Sequence, residues 1–148
     1  MVISYSKKLA TIVLLVGVVS VVMGGTFIFQ GIDKGNLVIE AMCLEKVEYG
    51  GADGTIEGIV DTPEEARVMA YVLREHRMEN YGHYTELARD DPKRDGILKA
   101  MTMENALNLA QVGYGLTQVV IVAGIFMVII GLTLGVGAVS VIRSSKQT

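Results

Sequence analysis

Two long apolar stretches frame this chain, with a charged and mixed segment between them. Leu9 to Phe29 is a run of 21 residues without a charge. A helix rises about 1.5 Å per residue, so that run is long enough to cross a hydrocarbon core of roughly 30 Å. The second uncharged run, Asn105 to Ile142, has 38 residues. As one helix it would measure roughly 57 Å, more than the core needs. Its most apolar part begins at Val119. The pattern therefore predicts transmembrane helices over 9–30 and 112–142, the second continuous with a helix that precedes it.

Between the runs the pattern changes several times. Asn36 to Val47 fits a strand or a short helix, Tyr49 to Gly54 is a turn by its glycines, and Thr55 to Val60 alternates weakly. Together they are read as a small β-hairpin over 36–60. A helix over about 63–81 has a clearer start. Thr62 is placed to cap it, Pro63 to occupy the first helical position, and Glu65 to close a capping box. Ala66, Met69, Ala70, Leu73 and His76 then fall on one face, and Gly82 is a stop signal. A second start lies at Asp91-Pro92, opening a helix over about 92–111. The predicted fold class is a mainly α membrane protein. It is a two-transmembrane antiparallel helical hairpin with a small extracytoplasmic helical domain, α+β if the β-hairpin forms, over 31–111.

Charge adds an orientation. The chain has 148 residues and a formal net charge of −3. All 16 acidic residues lie between Asp33 and Glu104, with nine of the 13 basic ones, so that segment carries −7. The other four, Lys7, Lys8, Arg143 and Lys146, flank the two spans in the tails 1–8 and 143–148. By the positive-inside rule both tails face the cytoplasm, and 31–111 lies outside the cell membrane. The first apolar run is long for the core of a cleaved signal peptide, so an uncleaved anchor is expected.

Small residues recur along both spans. Gly17, Gly24 and Gly31 are seven apart, as are Gly124, Gly131 and Ala138, and Gly131 with Gly135 makes a GxxxG pair. In lipid, close backbone approach through small residues is a main source of helix association. A seven-residue period keeps such a stripe facing one partner in a left-handed supercoil. These seven residues are the expected packing positions, within one chain or between chains. Neither span carries an ionisable residue, which argues against an ion pathway or a transport site built from this chain alone.

Candidate chemistry is sparse. His76 and His83, with Glu75, Glu79 and Glu86 nearby, are weak candidates for a metal site, because no HExxH or clustered Cys/His spacing accompanies them. A helix-to-helix contact for His76 and a loop position for His83 explain them as well. No P-loop, GxGxxG or nucleophile elbow is present. There is no basic stripe with interleaved aromatics, which argues against nucleic-acid binding. Cys43 is the single cysteine, either a buried thiol or a bridge to another chain.

The stretch with Ala70, Arg74 and His76, then Tyr84-Thr85-Glu86-Leu87, Asp91-Pro92-Lys93-Arg94 and Gly113-Tyr114-Gly115, resembles a family of small two-span bacterial membrane proteins. That family is best represented in actinobacteria and its function is unknown. Its members are often labelled "aromatic ring-opening dioxygenase small subunit". The resemblance covers about 70 residues; read physically, its motif makes a small rigid cap over a helical hairpin. In it Asp91 caps a helix, Pro92 opens it, Arg94 returns to Glu86 or Glu79, and Tyr84 and His76 bridge the outer helices. It does not imply ring cleavage. A non-haem iron centre of that kind needs two histidines and a carboxylate around an open metal position, and this chain offers no such set.

The expected function is a structural or accessory membrane protein, not an enzyme, with no cofactor. Its partners are the lipid bilayer and either further copies of itself or a larger membrane complex. The alternative is a membrane-anchored extracytoplasmic ligand-binding or sensing module, with a pocket lined by Tyr71, His76, Tyr81 and Tyr84.

Overall fold

In the computed structural model the described residues are 2–50 and 56–144. Most of the predicted turn over 49–54, and Lys146, lie outside them. Along the chain come helix α1 (Val2–Glu45), strands β1 (Glu48–Gly50) and β2 (Ile56–Ile59), helix α2 (Pro63–Tyr81), a short 3-10 turn (Tyr84–Glu86) and helix α3 (Lys93–Ser144). Both α1 and α3 are long and apolar enough to cross a membrane. Two compact units result, one from 1–33 with 117–148 and one from 34–116. They are called here the helix-pair unit and the connecting unit.

The helix-pair unit is held by backbone-to-backbone approach. A Cβ placed on Gly24 would stand 2.6 Å from the carbonyl oxygen of Gly124, and one on Gly124 would stand 2.7 Å from that of Gly24. Gly17 and Gly131 have the same reciprocal relation, at 2.8 and 2.5 Å. Gly31 faces the carbonyl of Thr117 at 3.1 Å and the Ile121 side chain. Partner numbers fall by seven as those of α1 rise by seven. Ala10 and Ala138 are buried as well. Gly135 differs: its amide nitrogen lies beside Gly17, yet a Cβ of its own would meet nothing.

Outward, the same two helices are apolar all round, with Phe29 and Val136 each 72% exposed. Three of their hydroxyls are satisfied within the helix. Thr11, Thr26 and Thr133 donate to the carbonyls four residues back, at 2.8–2.9 Å.

The connecting unit has a side-chain core instead. Met42, Val60, Ala66, Ala70 and Leu107 are buried together, with Val38, Leu73 and Ala110 packed against them. Helix α1 contributes to this core because it does not end where the apolar run ends. Residues 36–45 are helical, not strand. Glu40, Ala41, Met42, Leu44 and Glu45 are strong helix formers with no proline or glycine among them, so the helix propagates. It stops at Lys46, which takes a left-handed φ of 48°. The β-hairpin is accordingly shorter than 36–60. Glu48 pairs with Ile59 and Tyr49 with Gly58, antiparallel, with an irregularity before Gly50.

Helix α2 begins with a full capping box. The Glu65 amide donates to Thr62 Oγ1 at 3.2 Å, and the Thr62 amide donates to Glu65 Oε2 at 3.2 Å. The Asp61 amide donates to the same carboxylate at 3.1 Å. Gly82 ends the helix at φ 72°, its amide bonded to the Met78 carbonyl. Helix α3 opens where the Lys93 amide donates to Asp91 Oδ1 at 2.8 Å. It then runs 52 residues to Ser144.

Candidate functional site

The most constrained polar cluster in the connecting unit lies between α2 and α3. Arg74 and Arg77 stand three apart, one turn of α2, so both reach the same side of that helix. Glu104 projects from α3. Arg74 Nε donates to Glu104 Oε1 at 2.7 Å, and Arg77 Nη2 and Nε donate to Oε2 at 3.2 and 3.4 Å. The Glu104 side chain is 8% exposed and that of Arg77 12%, while Arg74 is 55% exposed.

The electrostatics follow from that geometry. Burial works to raise the Glu104 pKa. The hydrogen bonds from Arg74 and Arg77, with their charges, outweigh it and hold the carboxyl below its usual range. Both oxygens are engaged as acceptors and the group stays ionised. Such a carboxylate is a poor general acid, and it presents no free oxygen to a metal. Its chemistry is that of a clamp: two guanidinium groups from one helix grip one carboxylate from another.

A second polar cluster organises the turn between these helices. The Arg94 guanidinium stacks over the Tyr84 ring, 4.3 Å from its centroid, and Nη2 donates to the Leu87 carbonyl at 3.3 Å. The physical reading of the motif expects a return of Arg94 to Glu86 or Glu79; the structure gives it an aromatic face and a backbone carbonyl instead. Its Nε is buried without a hydrogen-bond partner.

The remaining candidates are dispersed. His76 and His83 are exposed, and among the described residues no three His, Cys, Asp or Glu side chains gather as a metal site would require. Of the four suggested pocket residues, Tyr71 donates to Glu75 at 3.0 Å, Tyr81 lies against Gly96, Tyr84 sits under Arg94, and His76 is exposed. Each has its own surroundings. Cys43 is a half-buried free thiol beside the core residue Met42. In the helix-pair unit an apolar groove of about 300 Å³ is lined by residues such as Leu9, Val13, Leu134 and Val141. Thr133 is the polar residue on its wall, and its hydroxyl is already bonded within the helix.

Sequence reasoning passed over Glu104 and Arg77. A signal for them existed. Glu104 is the last acid before 38 uncharged residues, and a carboxylate at the edge of so apolar a run needs a partner. Scanned against family models, curated proteins and solved structures, the chain finds no match.

Proposed function

We propose that the chain is an integral membrane protein of the helical-hairpin kind, with two antiparallel spans. It acts as a structural or accessory subunit that assembles with itself or within a larger membrane complex. The observation that carries this reading is the inversion of the helix-pair unit. Its inward surface is glycine and backbone, and its outward surface is large and apolar. Such a pair is unfavourable in water and suited to lipid, where close packing through small residues drives association. The absence of ionisable side chains from 9–32 and 117–142 supports a scaffold over a transport path. In this reading the basic residues of the tails face the cytoplasm and the connecting unit lies outside the cell.

Native mass measurement of the detergent-extracted protein tests the reading. The expected result is a homo-oligomer or a defined complex. A lone monodisperse monomer would overturn the assembly function. Labelling of Cys43 on intact cells with a membrane-impermeant maleimide tests the orientation. Labelling is expected from outside, and labelling only after lysis would reverse the topology.

A further inference from the structure

The clamp between α2 and α3 is unbalanced. Two guanidinium groups meet one carboxylate, so the cluster holds one positive charge in excess. The side chains of Glu104 and Arg77 are largely withdrawn from water, which leaves Arg74 as the way in.

Hydrogen-bond donors are in excess too. Two guanidinium groups carry far more N–H groups than one carboxylate can accept. Arg77 Nε and Nη2 go to Glu104, but its Nη1 finds only the Met78 sulfur, at 3.6 Å. A thioether is a weak acceptor. Arg74 gives one hydrogen bond among the described residues, from Nε to Glu104. Its Nη1 and Nη2 have no partner there, and neither is buried. These open donors lie together. Met78 stands one turn beyond Arg74 on α2, so the sulfur that holds Arg77 Nη1 is beside the open edge of Arg74.

We propose that this edge, Arg74 Nη1 and Nη2 with Arg77 Nη1 behind the Met78 sulfur, binds an oxyanion, a carboxylate or phosphate group. A guanidinium donates and cannot accept, so the ligand must bring acceptors, and the excess charge asks that they be negative. The paired N–H groups of Arg74 match two oxygens of such a group. Glu104 already holds Arg74 through Nε at 2.7 Å, so less side-chain freedom is lost on binding than at a loose arginine. Met78 is unbranched and flexible, and can release Nη1 to the ligand. Nearby acids do not fill the edge. Glu75 takes the Tyr71 hydroxyl, and Glu64 is spent on Arg67. Arg67 in turn spends its Nε and Nη2 on Glu64, and Arg94 lies on Tyr84, so neither repeats the arrangement. A scaffold has no need of such a site, and binding here is a function beyond that role.

The test uses the full chain in uncharged detergent. Inorganic phosphate, and separately succinate, is titrated at constant ionic strength held with sodium chloride, and the unfolding midpoint is followed by helix content. A ligand that binds only the folded protein raises that midpoint. A saturable rise of several degrees is expected for wild type and for Arg67→Gln, and none for Arg74→Gln. Arg74→Lys keeps the charge and gives up the fork, and should need about tenfold more ligand for the same rise. Micelles doped with phosphatidylglycerol separate the sources. A rise there without added anion, again lost in Arg74→Gln, makes a lipid headgroup the ligand; a rise with phosphate or succinate alone makes it a free one. A wild type that responds to none of the three beyond the chloride control overturns the site. So does a rise of equal size in Arg74→Gln or, should that variant not fold, an unchanged ligand requirement in Arg74→Lys.

Discussion

The two units solve the packing of α1 against α3 in different ways. In the helix-pair unit the chains of contact are backbone to backbone, and glycine is the working residue at 17, 24, 124 and 131. In the connecting unit the same two helices are joined by α2, and the contact is a side-chain core of Met42, Val60, Ala66, Ala70 and Leu107 with an ionic clamp beside it. The difference follows from the surroundings each unit suits. Lipid gives no hydrophobic drive between helices, so only close approach helps. Water rewards burial of apolar area, and there a core forms. One helix sequence thus changes its packing chemistry partway along its length.

The sharpest way to break the helix pair is to add atoms where it has none. Gly24→Leu puts a Cβ against the Gly124 carbonyl oxygen and the Val128 backbone nitrogen at once. Backbone cannot swing aside, so the expected cost is about 3 kcal/mol or more, at or beyond the top of the usual overpacking range. The measurement is the unfolding midpoint in mixed micelles. Gly25→Leu is the control, since a Cβ at Gly25 meets nothing. Equal loss in both variants would mean that the close approach does not hold the pair together.

The connecting unit should fail through charge instead. Glu104→Ala leaves Arg77, its side chain 12% exposed, with no carboxylate. Removing one partner of a buried pair costs about 3–5 kcal/mol; the half-exposed Arg74 lets water take up part of that, so about 2–3 kcal/mol is expected. The pH dependence has a fixed sign. The folded carboxyl titrates below the usual value of 4.5. Its contribution is therefore complete above that value and lost as pH falls through the lower folded pKa. The stability difference between wild type and Glu104→Gln should shrink on acidification. A difference that grows toward low pH would mean that the clamp is not ionised in the folded protein.

The legibility of the two units in the sequence also differs. The apolar runs declare α1 and α3 because length and absence of charge are local properties. The capping box at Thr62, Pro63 and Glu65 is equally local, and α2 begins where that signal stands. Residues 36–45 misled because a short apolar run fits strand and helix alike. A helix already running from Val2 overrode the weak local preference. The clamp was hidden for another reason. Arg74 and Arg77 are 27 or more residues from Glu104 in sequence, and a pairing across helices leaves no periodic trace in either.

A smaller test separates local from tertiary stabilisation of α2. Thr62→Ala removes the oxygen that accepts from the Glu65 amide and opens the capping box. Cap losses of this kind cost about 1 kcal/mol. Denaturation of the connecting unit, followed by Tyr fluorescence or helix content, should shift by that amount. The midpoint of the helix-pair unit should stay in place, because its contacts involve none of these residues. A shift of both together would show that the two units unfold as one.

The smallest expected effect concerns the turn before α3. Arg94→Lys keeps the positive charge but gives up the flat guanidinium that lies on Tyr84 and the donor to the Leu87 carbonyl. An ammonium group is a compact point charge and cannot stack in that way. Against that loss, the variant also removes Nε, which is buried with no acceptor, and so relieves a desolvation cost of its own. The two terms oppose each other, and a net loss of about 0.5 kcal/mol is expected, within the range of partly exposed cation–π contacts. Tyr84→Leu, which removes the ring and keeps the arginine, isolates the stacking term and should cost more than Arg94→Lys. The reverse order would mean that the carbonyl bond to Leu87, rather than the aromatic face, fixes this turn against α3.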